Sequence, residues 1–319
     1  MLKSLHRFLF RTAPLKAPLK AAVMPALAAA LLWLTPAVGS AGAQDLPYSQ
    51  GLLWQVQREG GGPVSYVLGT IHSTDARLRK LPPQIDQAFN QSRVAAFELI
   101  DSQQGNDKMA RAMRLPPDRR LEDILGPALF QRTVDAVAPL GVAAEGLQSL
   151  KPWALSLYLA FPQIELVRLS QGEPAFDSWL QDQARQRGKS VEALETMDEQ
   201  IEIFNGMSEA EQVAMVTDML ADHENIDANF NRIFRAYLKG DLSVAMEEAN
   251  DVSAVSDVEA AERFKARLID DRNRIMAARI APLLRDGGAF IAIGAAHLPG
   301  EAGVLARLAA RGYSVTRAY

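Results

Sequence analysis

The chain has 319 residues, 48% of them hydrophobic, and a formal net charge of −4. This length is sufficient for one large domain or two small ones, and the negative charge disfavours binding to a nucleic-acid backbone, which needs clustered lysine and arginine. The chain contains no cysteine. Disulfides and thiolate metal sites are therefore excluded, and any bound metal must use imidazole and carboxylate ligands.

Residues 1–43 have the pattern of a secretory signal peptide. The first 20 positions carry five basic residues and no acidic one, residues 21–34 are uncharged and rich in alanine and leucine, and residues 41–43 read Ala-Gly-Ala, a cleavage pattern. We therefore expect a periplasmic or secreted protein, whose mature chain has a net charge of about −9. The alternative is an uncleaved membrane anchor, because residues 21–44 are almost long enough to span a bilayer.

The mature chain is predicted to begin with a β-hairpin. Residues 51–57 alternate in polarity as a strand does, residues 59–63 form a glycine-rich turn, and a second apolar run ends in Gly69-Thr70-Ile71-His72. The glycine allows the backbone to leave the strand sharply. His72 is then presented at the carboxyl edge of the strand, where open α/β sheets bind their ligands.

A helix over residues 84–92 and an apolar strand over residues 94–100 are predicted next, after a Leu-Pro pair. Glu98 lies within this apolar run. A carboxylate in a buried strand is costly unless it is paired or bound to a cation, so Glu98 is a candidate site residue. The alternative is an ordinary carboxylate that is partly solvated at the end of the strand.

The middle of the chain, residues 107–284, is mostly helical and has no segment that resembles a flexible linker. We therefore predict a single domain, residues 44–319, with a helical cap. A strand over residues 190–196 places Glu195 near its end, as a second carboxylate candidate. His223 lies between two acidic residues and is predicted on a solvated helix surface.

The long helix predicted over residues 258–284 carries Arg272. Its guanidinium would neutralise a substrate carboxylate or a developing oxyanion if it faced the site. The alternative is membership of an exposed ladder of ion pairs along the helix, which is the common arrangement for such a charged run.

The end of the chain repeats the first unit. An apolar run over residues 289–293 ends in Gly294-Ala295-Ala296-His297, and a Leu-Pro pair, a predicted helix (302–311) and a strand (313–316) follow. A lone histidine after a strand is more often structural. Two of the chain's four histidines in matching strand–turn–helix units indicate a shared site instead.

Two neutral imidazoles and a carboxylate are a common ligand set for a divalent cation with open positions for water. We therefore predict that His72, His297 and Glu98 bind a metal, with Glu195 as a further ligand or as general base. Such a cation lowers the pKa of bound water and polarises a carbonyl, which permits hydrolysis near neutral pH. The two ends of the chain must then fold against each other.

These motifs, in this order, resemble the TraB/GumN family, which includes the Tiki proteins. The resemblance covers nearly the whole mature chain and rests on Leu53-Trp54, Tyr66 to His72, Leu81-Pro82, Phe97-Glu98-Leu99, Phe176-Asp177, Leu194-Glu195-Thr196 with Gln200, Arg272-Asn273, and Gly294 to Gly300. It implies a helix-rich α/β fold in which two small pseudo-symmetric β-sheets are surrounded by helices, with a helical middle cap. Ala175 and Asp271 depart from the family pattern without touching the predicted ligands.

The resemblance also implies a metal-dependent hydrolase of the peptidase type, with manganese or cobalt as its cation and zinc as the alternative. It places the family's Arg-Asn pair on Arg272 and Asn273, so that the catalytic candidates are Glu98, Glu195, Arg272 and Asn273. The expected partner is a peptide or small-molecule substrate, with no nucleic acid, and with membrane contact only through an uncleaved N-terminal segment.

Two other functions are compatible with the sequence. One is a non-catalytic periplasmic protein that binds a peptide or signal molecule, in which the histidines only organise a pocket. The other is a metal- or haem-binding accessory protein built on the same fold.

Overall fold

The computed structural model describes residues 46–250 and 255–319, with no account of the side chains of residues 248–250. The predicted signal peptide, and its alternative as an anchor, lie outside the described residues. Within these residues, no helix combines the length and the apolar character needed to cross a bilayer. The single domain over residues 44–319 stays a prediction.

One mixed sheet contains the six strands of the described residues. In chain order they are β1 Leu53–Arg58, β2 Ser65–Thr70, β3 Val94–Phe97, β4 Ser190–Ala193, β5 Ala289–Gly294 and β6 Tyr313–Arg317. The order across the sheet is β4-β3-β5-β2-β1-β6. The first four strands in that order run parallel, whereas β1 is antiparallel to both of its neighbours. The carboxyl ends of four strands therefore meet at one edge of the sheet.

The helix-rich α/β class is confirmed, but the two small sheets that the family resemblance implied form one sheet. The connection is the parallel pairing of β2 with β5, which aligns Gly69 with Ile293 and Thr70 with Gly294. Strand β5 also pairs with β3 on its other side. All six residues of β5 are buried, and an apolar strand covered on both faces is typical of the interior of a parallel sheet. Strand β5, from the C-terminal Gly-x-x-His unit, therefore lies between β2 and β3 of the N-terminal unit.

Fifteen α-helices lie in the described ranges. They are α1 Pro83–Gln91, α2 Gln103–Ala112, α3 Leu121–Leu125, α4 Pro127–Val137, α5 Ala144–Leu147, α6 Ser156–Leu159, α7 Gln163–Ser170, α8 Phe176–Gln186, α9 Met197–Asn205, α10 Glu209–Ala221, α11 Ile226–Leu238, α12 Ser243–Asn250, α13 Val258–Lys265, α14 Arg272–Asp286 and α15 Val304–Ala309. A π-helical turn, Ala266–Asp271, joins α13 to α14. Such turns are frequent at functional sites, and this one ends immediately before Arg272.

The hydrophobic core extends from the sheet into the helical middle of the chain. Phe89 of α1 packs edge-to-face on Phe290 of β5, with ring centroids 5.0 Å apart. In the helical middle of the chain, Trp153 stacks on Phe204 of α9 with centroids 4.8 Å apart. Both pairs are buried, so the helices are joined to the strands through continuous aromatic and aliphatic packing.

Candidate active site

The structure brings four predicted site residues to the same edge of the sheet. His72 lies two residues beyond β2 and His297 three residues beyond β5, while Glu98 follows β3 directly and Glu195 lies two residues beyond β4. The N–H of Glu195 donates to the carbonyl of Glu98 at 2.8 Å, which continues the pairing of β3 with β4. The two ends of the chain thus fold against each other, as the predicted site required.

Arg272, in the first turn of α14, joins the two glutamates. Its Nε and Nη2 donate to the two carboxylate oxygens of Glu195 at 2.9 and 2.7 Å, and Nη2 also donates to Oε2 of Glu98 at 2.6 Å. Arg272 is only 2% exposed. The alternative of an exposed ion-pair ladder is therefore wrong for this residue, which lies between two buried carboxylates.

These contacts keep the buried groups charged. Burial alone would raise the pKa of Glu98, but the Arg272 charge, followed by the two histidines and the N–H of Gly294, lowers that pKa to about 2. Burial likewise disfavours the charged form of Arg272, yet Glu195 and Glu98 raise its pKa above the ordinary value. Glu98 is therefore an ionised carboxylate at neutral pH and a poor general base, since a base near pH 7 needs a matching pKa.

Gly294 allows the second motif to approach Glu98 closely. Its N–H donates to Oε1 of Glu98 at 2.6 Å, and a Cβ at this position would lie 3.1 Å from the same oxygen. Gly69 has a similar role, because a Cβ there would lie 2.8 Å from Cδ1 of Leu298 and 3.2 Å from Ala295. Neither glycine has a positive φ. The motif glycines are thus needed for close packing rather than for the sharp turn we expected.

His297 is buried, and its tautomer is fixed by Asn273. Nδ1 of the ring lies 2.7 Å from Oδ1 of Asn273, whose amide nitrogen donates to the carbonyl of Ala302 at 3.0 Å. Because this amide oxygen can only accept, Nδ1 carries the proton and Nε2 carries the lone pair. Burial and then Arg272 lower the pKa of His297 to about 3. The ring is therefore neutral at neutral pH, and its buried Nε2 has no hydrogen-bond partner.

His72 has an acidic partner instead. Its Nδ1 lies 2.8 Å from Oδ2 of Asp177 at the start of α8, which is an ion-pair contact. Thr70 donates to the other oxygen of Asp177. Burial lowers the pKa of His72, but Asp177 and then Glu98 outweigh it, and the pKa is raised above its usual value. The Nε2 atom of His72 is also buried without a hydrogen-bond partner.

Glu165 and Tyr237 hold the first motif from the helical middle of the chain. Glu165 of α7 accepts hydrogen bonds from Oγ of Ser73 at 2.9 Å and from the N–H and hydroxyl of Thr74 at 2.7 and 2.6 Å. Tyr237 of α11 donates to the carbonyl of Gly69 at 2.8 Å. Sequence reasoning missed both residues because each lies more than 90 positions along the chain from the residues that it contacts. A polar residue on the apolar face of a predicted helix was the only available signal.

Two clefts meet at His72. The first, which we call the apolar cleft, is lined by both motif histidines and, among others, by Ile71, Ile233, Tyr237, Leu242, Ala245 and Ala295. The second, the polar cleft, is lined by His72 with, among others, Glu98, Asp101, Asp177, Ser178, Gln181 and Gln200. The candidate site thus has one apolar and one acidic side.

The site fits a cation in part. The two unpartnered Nε2 atoms of His72 and His297 are suitable donors, and Nε2 of His297 lies 3.9 Å from Oε1 of Glu98. Both oxygens of Glu98 accept hydrogen bonds from Arg272 and Gly294. In the described ranges, no three His, Asp or Glu side chains are grouped closely enough to hold a metal ion. The imidazole donors are thus available, whereas the carboxylate donor is engaged elsewhere.

His223 does not join the other two histidines. It lies in a short 3-10 turn, His223–Asn225, between α10 and α11, and it lines a separate cleft with Tyr158 and Asp227. The side chain is half-buried, so it is less solvated than we expected. The cleft that it lines is formed in part by residues of α4, α6 and α7, which come close to this turn.

A model of the TraB/PrgY/gumN family matches residues 52–317. The chain belongs to this family. Among curated proteins, the chain is 26% identical to Metalloprotease TIKI2 of Danio rerio over 325 residues, which cover 85% of this chain and 62% of that protein. It is also 26% identical to Metalloprotease TIKI1 of Homo sapiens over 315 residues, which cover 83% of this chain and 61% of that protein. The chain therefore spans about three fifths of the length of these relatives. No solved structure matches it.

Proposed function

We propose that this TraB-family protein is a metal-dependent hydrolase that acts on peptides. The observation that carries the proposal is the pair of buried Nε2 atoms without hydrogen-bond partners, on His72 and His297, at the edge where the parallel strands end. Buried polar atoms are normally satisfied, and orphaned ones call for a ligand that the structure does not include. The curated relatives named above carry the name metalloprotease, which supports the same reaction class.

His72 and His297 would hold the cation through Nε2, with Glu98 as the carboxylate ligand. A bound divalent cation, manganese or cobalt with zinc as the alternative, polarises a carbonyl and lowers the pKa of a bound water. Asn273 keeps His297 in the tautomer that exposes a lone pair on Nε2. Such outer partners orient metal-binding histidines and increase their affinity.

Arg272 has a positioning role in this proposal rather than the oxyanion role that the sequence suggested. Its Nε, Nη1 and Nη2 already donate to Glu195, to the carbonyl of Leu268 and to Glu98. The guanidinium therefore lowers the pKa of Glu98 and fixes its carboxylate beside the second motif. Glu195 is assigned the same kind of role, because both of its oxygens accept from Arg272.

The test is elemental analysis of protein purified without a histidine tag, together with cleavage of a peptide library in the presence of Mn²⁺ or Co²⁺. We expect about one cation per chain and metal-dependent cleavage, both lost in His297→Ala and in His72→Ala. The matched control is His223→Ala, which should retain both properties because His223 lines a separate cleft. A wild-type protein that binds no divalent cation and cleaves no peptide would refute the hydrolase.

One observation favours a second candidate, a peptide-binding protein without turnover. The carboxylate of Glu98 is engaged by Arg272 and Gly294 instead of facing an open position. This candidate predicts that peptides bind in the clefts at His72 with no dependence on metal and no cleavage, so the same peptide library decides between the two.

We also propose that the protein is exported, on the basis of the charge pattern of residues 1–43. Amino-terminal sequencing of the protein from the cells that make it should give Gln44 as the first residue. An intact first segment that fractionates with membranes would support the anchor instead.

A further inference from the structure

The apolar cleft is continuous with the candidate active site. It shares His72 and His297 with that site, and its remaining walls come from the ends of β2 and β5, from α11 and from the start of α12. A substrate at the two histidines would therefore extend into this cleft.

The polar groups in the walls of the apolar cleft already have partners. The hydroxyl of Tyr237 donates to the carbonyl of Gly69, and the hydroxyl of Thr70 donates to Asp177. At the rim, Oδ1 of Asp241 accepts from the N–H and hydroxyl of Ser243. These side chains thus offer the cleft mainly their carbon surface, in contrast to the unpartnered Nε2 atoms of the two histidines.

The polar cleft, which His72 also lines, has a different chemistry. Glu98, Asp101 and Asp177 all line the polar cleft, where an apolar side chain would cover carboxylates at a cost in desolvation. An apolar group of a substrate bound at His72 is therefore stabilised on one side only.

We propose that the apolar cleft is a specificity subsite that takes one apolar side chain of a peptide, with the peptide bond beside that residue placed at His72 and His297. This inference rests on the proposed function for its substrate class. Filling an apolar pocket discriminates by roughly 10- to 200-fold for each methylene group. A leucine side chain should therefore bind at least about tenfold more tightly than glycine, which leaves the cleft empty.

The test uses two small probes, N-acetyl-leucine amide and N-acetyl-glycine amide, titrated into the wild-type chain. The readout is the NMR signals of the histidine rings, which are few because the chain has four histidines. We expect the leucine probe to shift the His72 and His297 signals at a concentration at least about tenfold lower than the glycine probe. Equal affinities would overturn the subsite, as would shifts confined to His223.

Ala245→Phe fills the cleft from α12, where Ala245 is half-buried. This variant should abolish the preference for the leucine probe, and Ala245→Leu should reduce it by a smaller factor, which keeps the test valid if the larger side chain prevents folding. The matched control is Ala128→Phe, because Ala128 is exposed in the first turn of α4. The control should retain the full preference, and a preference that survives in both Ala245 variants would refute the assignment.

The probes separate this inference from the hydrolase proposal. A protein that discriminates between the two amides but cleaves no peptide retains the subsite and refutes the hydrolase. A protein that cleaves peptides with no preference for an apolar residue, and binds both amides equally, retains the hydrolase and refutes the subsite.

Discussion

The two Gly-x-x-His motifs are nearly identical in sequence pattern, yet their histidines lie in opposite electrostatic environments. His72 is next to the carboxylate of Asp177, which helps to raise its pKa. His297 is next to the neutral amide of Asn273 and near Arg272, and its pKa is lowered to about 3. The partners come from α8 and α14, outside the repeated units. A repeated motif therefore reproduces the backbone of a site but does not determine its charge.

The two histidines nevertheless present the same atom. In each ring Nδ1 contacts its partner and Nε2 has none. His297 is thus suited to stay neutral at all ordinary pH values, whereas His72 accepts a proton more readily in the metal-free protein. Four sets of substitutions test this difference, in order of decreasing effect.

The first is Arg272→Met, which removes the positive charge closest to the second motif. Glu98 and Glu195 would then be buried without their partner, and breaking a buried ion pair from one side costs about 3–5 kcal/mol. Urea denaturation should show this loss in the free energy of unfolding. The control is Arg274→Met in the same helical turn. Arg274 forms an exposed pair with Asp271, and its loss should cost less than about 1 kcal/mol. Equal effects of the two substitutions would contradict the buried network.

The second is Gly69→Ala, which separates the two motifs. The new methyl group would lie 2.8 Å from Leu298 and 3.2 Å from Ala295, and overpacking of this kind costs about 1–3 kcal/mol. Gly146→Ala is the matched control, since this glycine lies in α5 with no atom within 4 Å of the added carbon. The control should be neutral or stabilising by up to about 1 kcal/mol, because alanine favours the helix. Thermal denaturation of both variants provides the comparison, and a shift of the same sign in both would count against the close contact.

The third is Asn273→Asp, which gives His297 a carboxylate partner like that of His72. In wild type, the lowered pKa of His297 contributes stability above the unfolded value of about 6.5. This contribution is lost as the pH falls toward about 3. The variant should raise the pKa of His297 and reduce this acid-induced loss. NMR titration of the histidine rings in chelator-treated protein measures the pKa, and an unchanged value would show that Asn273 does not set the environment of His297.

The fourth is Asp177→Asn, which makes the environment of His72 more like that of His297. With the carboxylate removed, burial dominates and the pKa of His72 should fall below its ordinary value. In wild type the raised pKa contributes stability below the unfolded value of about 6.5, which is lost as the pH rises through the folded pKa. The stability difference between wild type and variant should thus be larger below about pH 6.5 than well above it. A difference that grows with pH would contradict the pairing.

Much of the fold could be predicted from the sequence. The patterns of Ser65 to His72 and of Ala289 to His297 indicated two strands that end in histidines, and both are present as β2 and β5 with their motifs at one edge. The helices after each motif and the position of Glu195 near a strand end also agree with expectation, whereas Glu98, expected within a strand over residues 94–100, directly follows β3. These features depend on hydrophobic periodicity and on turn residues, which are properties of neighbouring positions in the chain.

The tertiary structure alone decided how the site is charged and connected. Arg272 meets Glu98 across 174 positions and Glu195 across 77, and Asp177 lies 107 positions from Thr70. Local pattern contains no information on such pairs: the sequence left Arg272 open between a site residue and an exposed ion-pair ladder, and the fold buries it. The joining of the expected two sheets into one has the same cause, since the pairing of β2 with β5 is a contact between the two ends of the chain. Long-range packing thus determines which charges become buried together, and burial determines what those charges do.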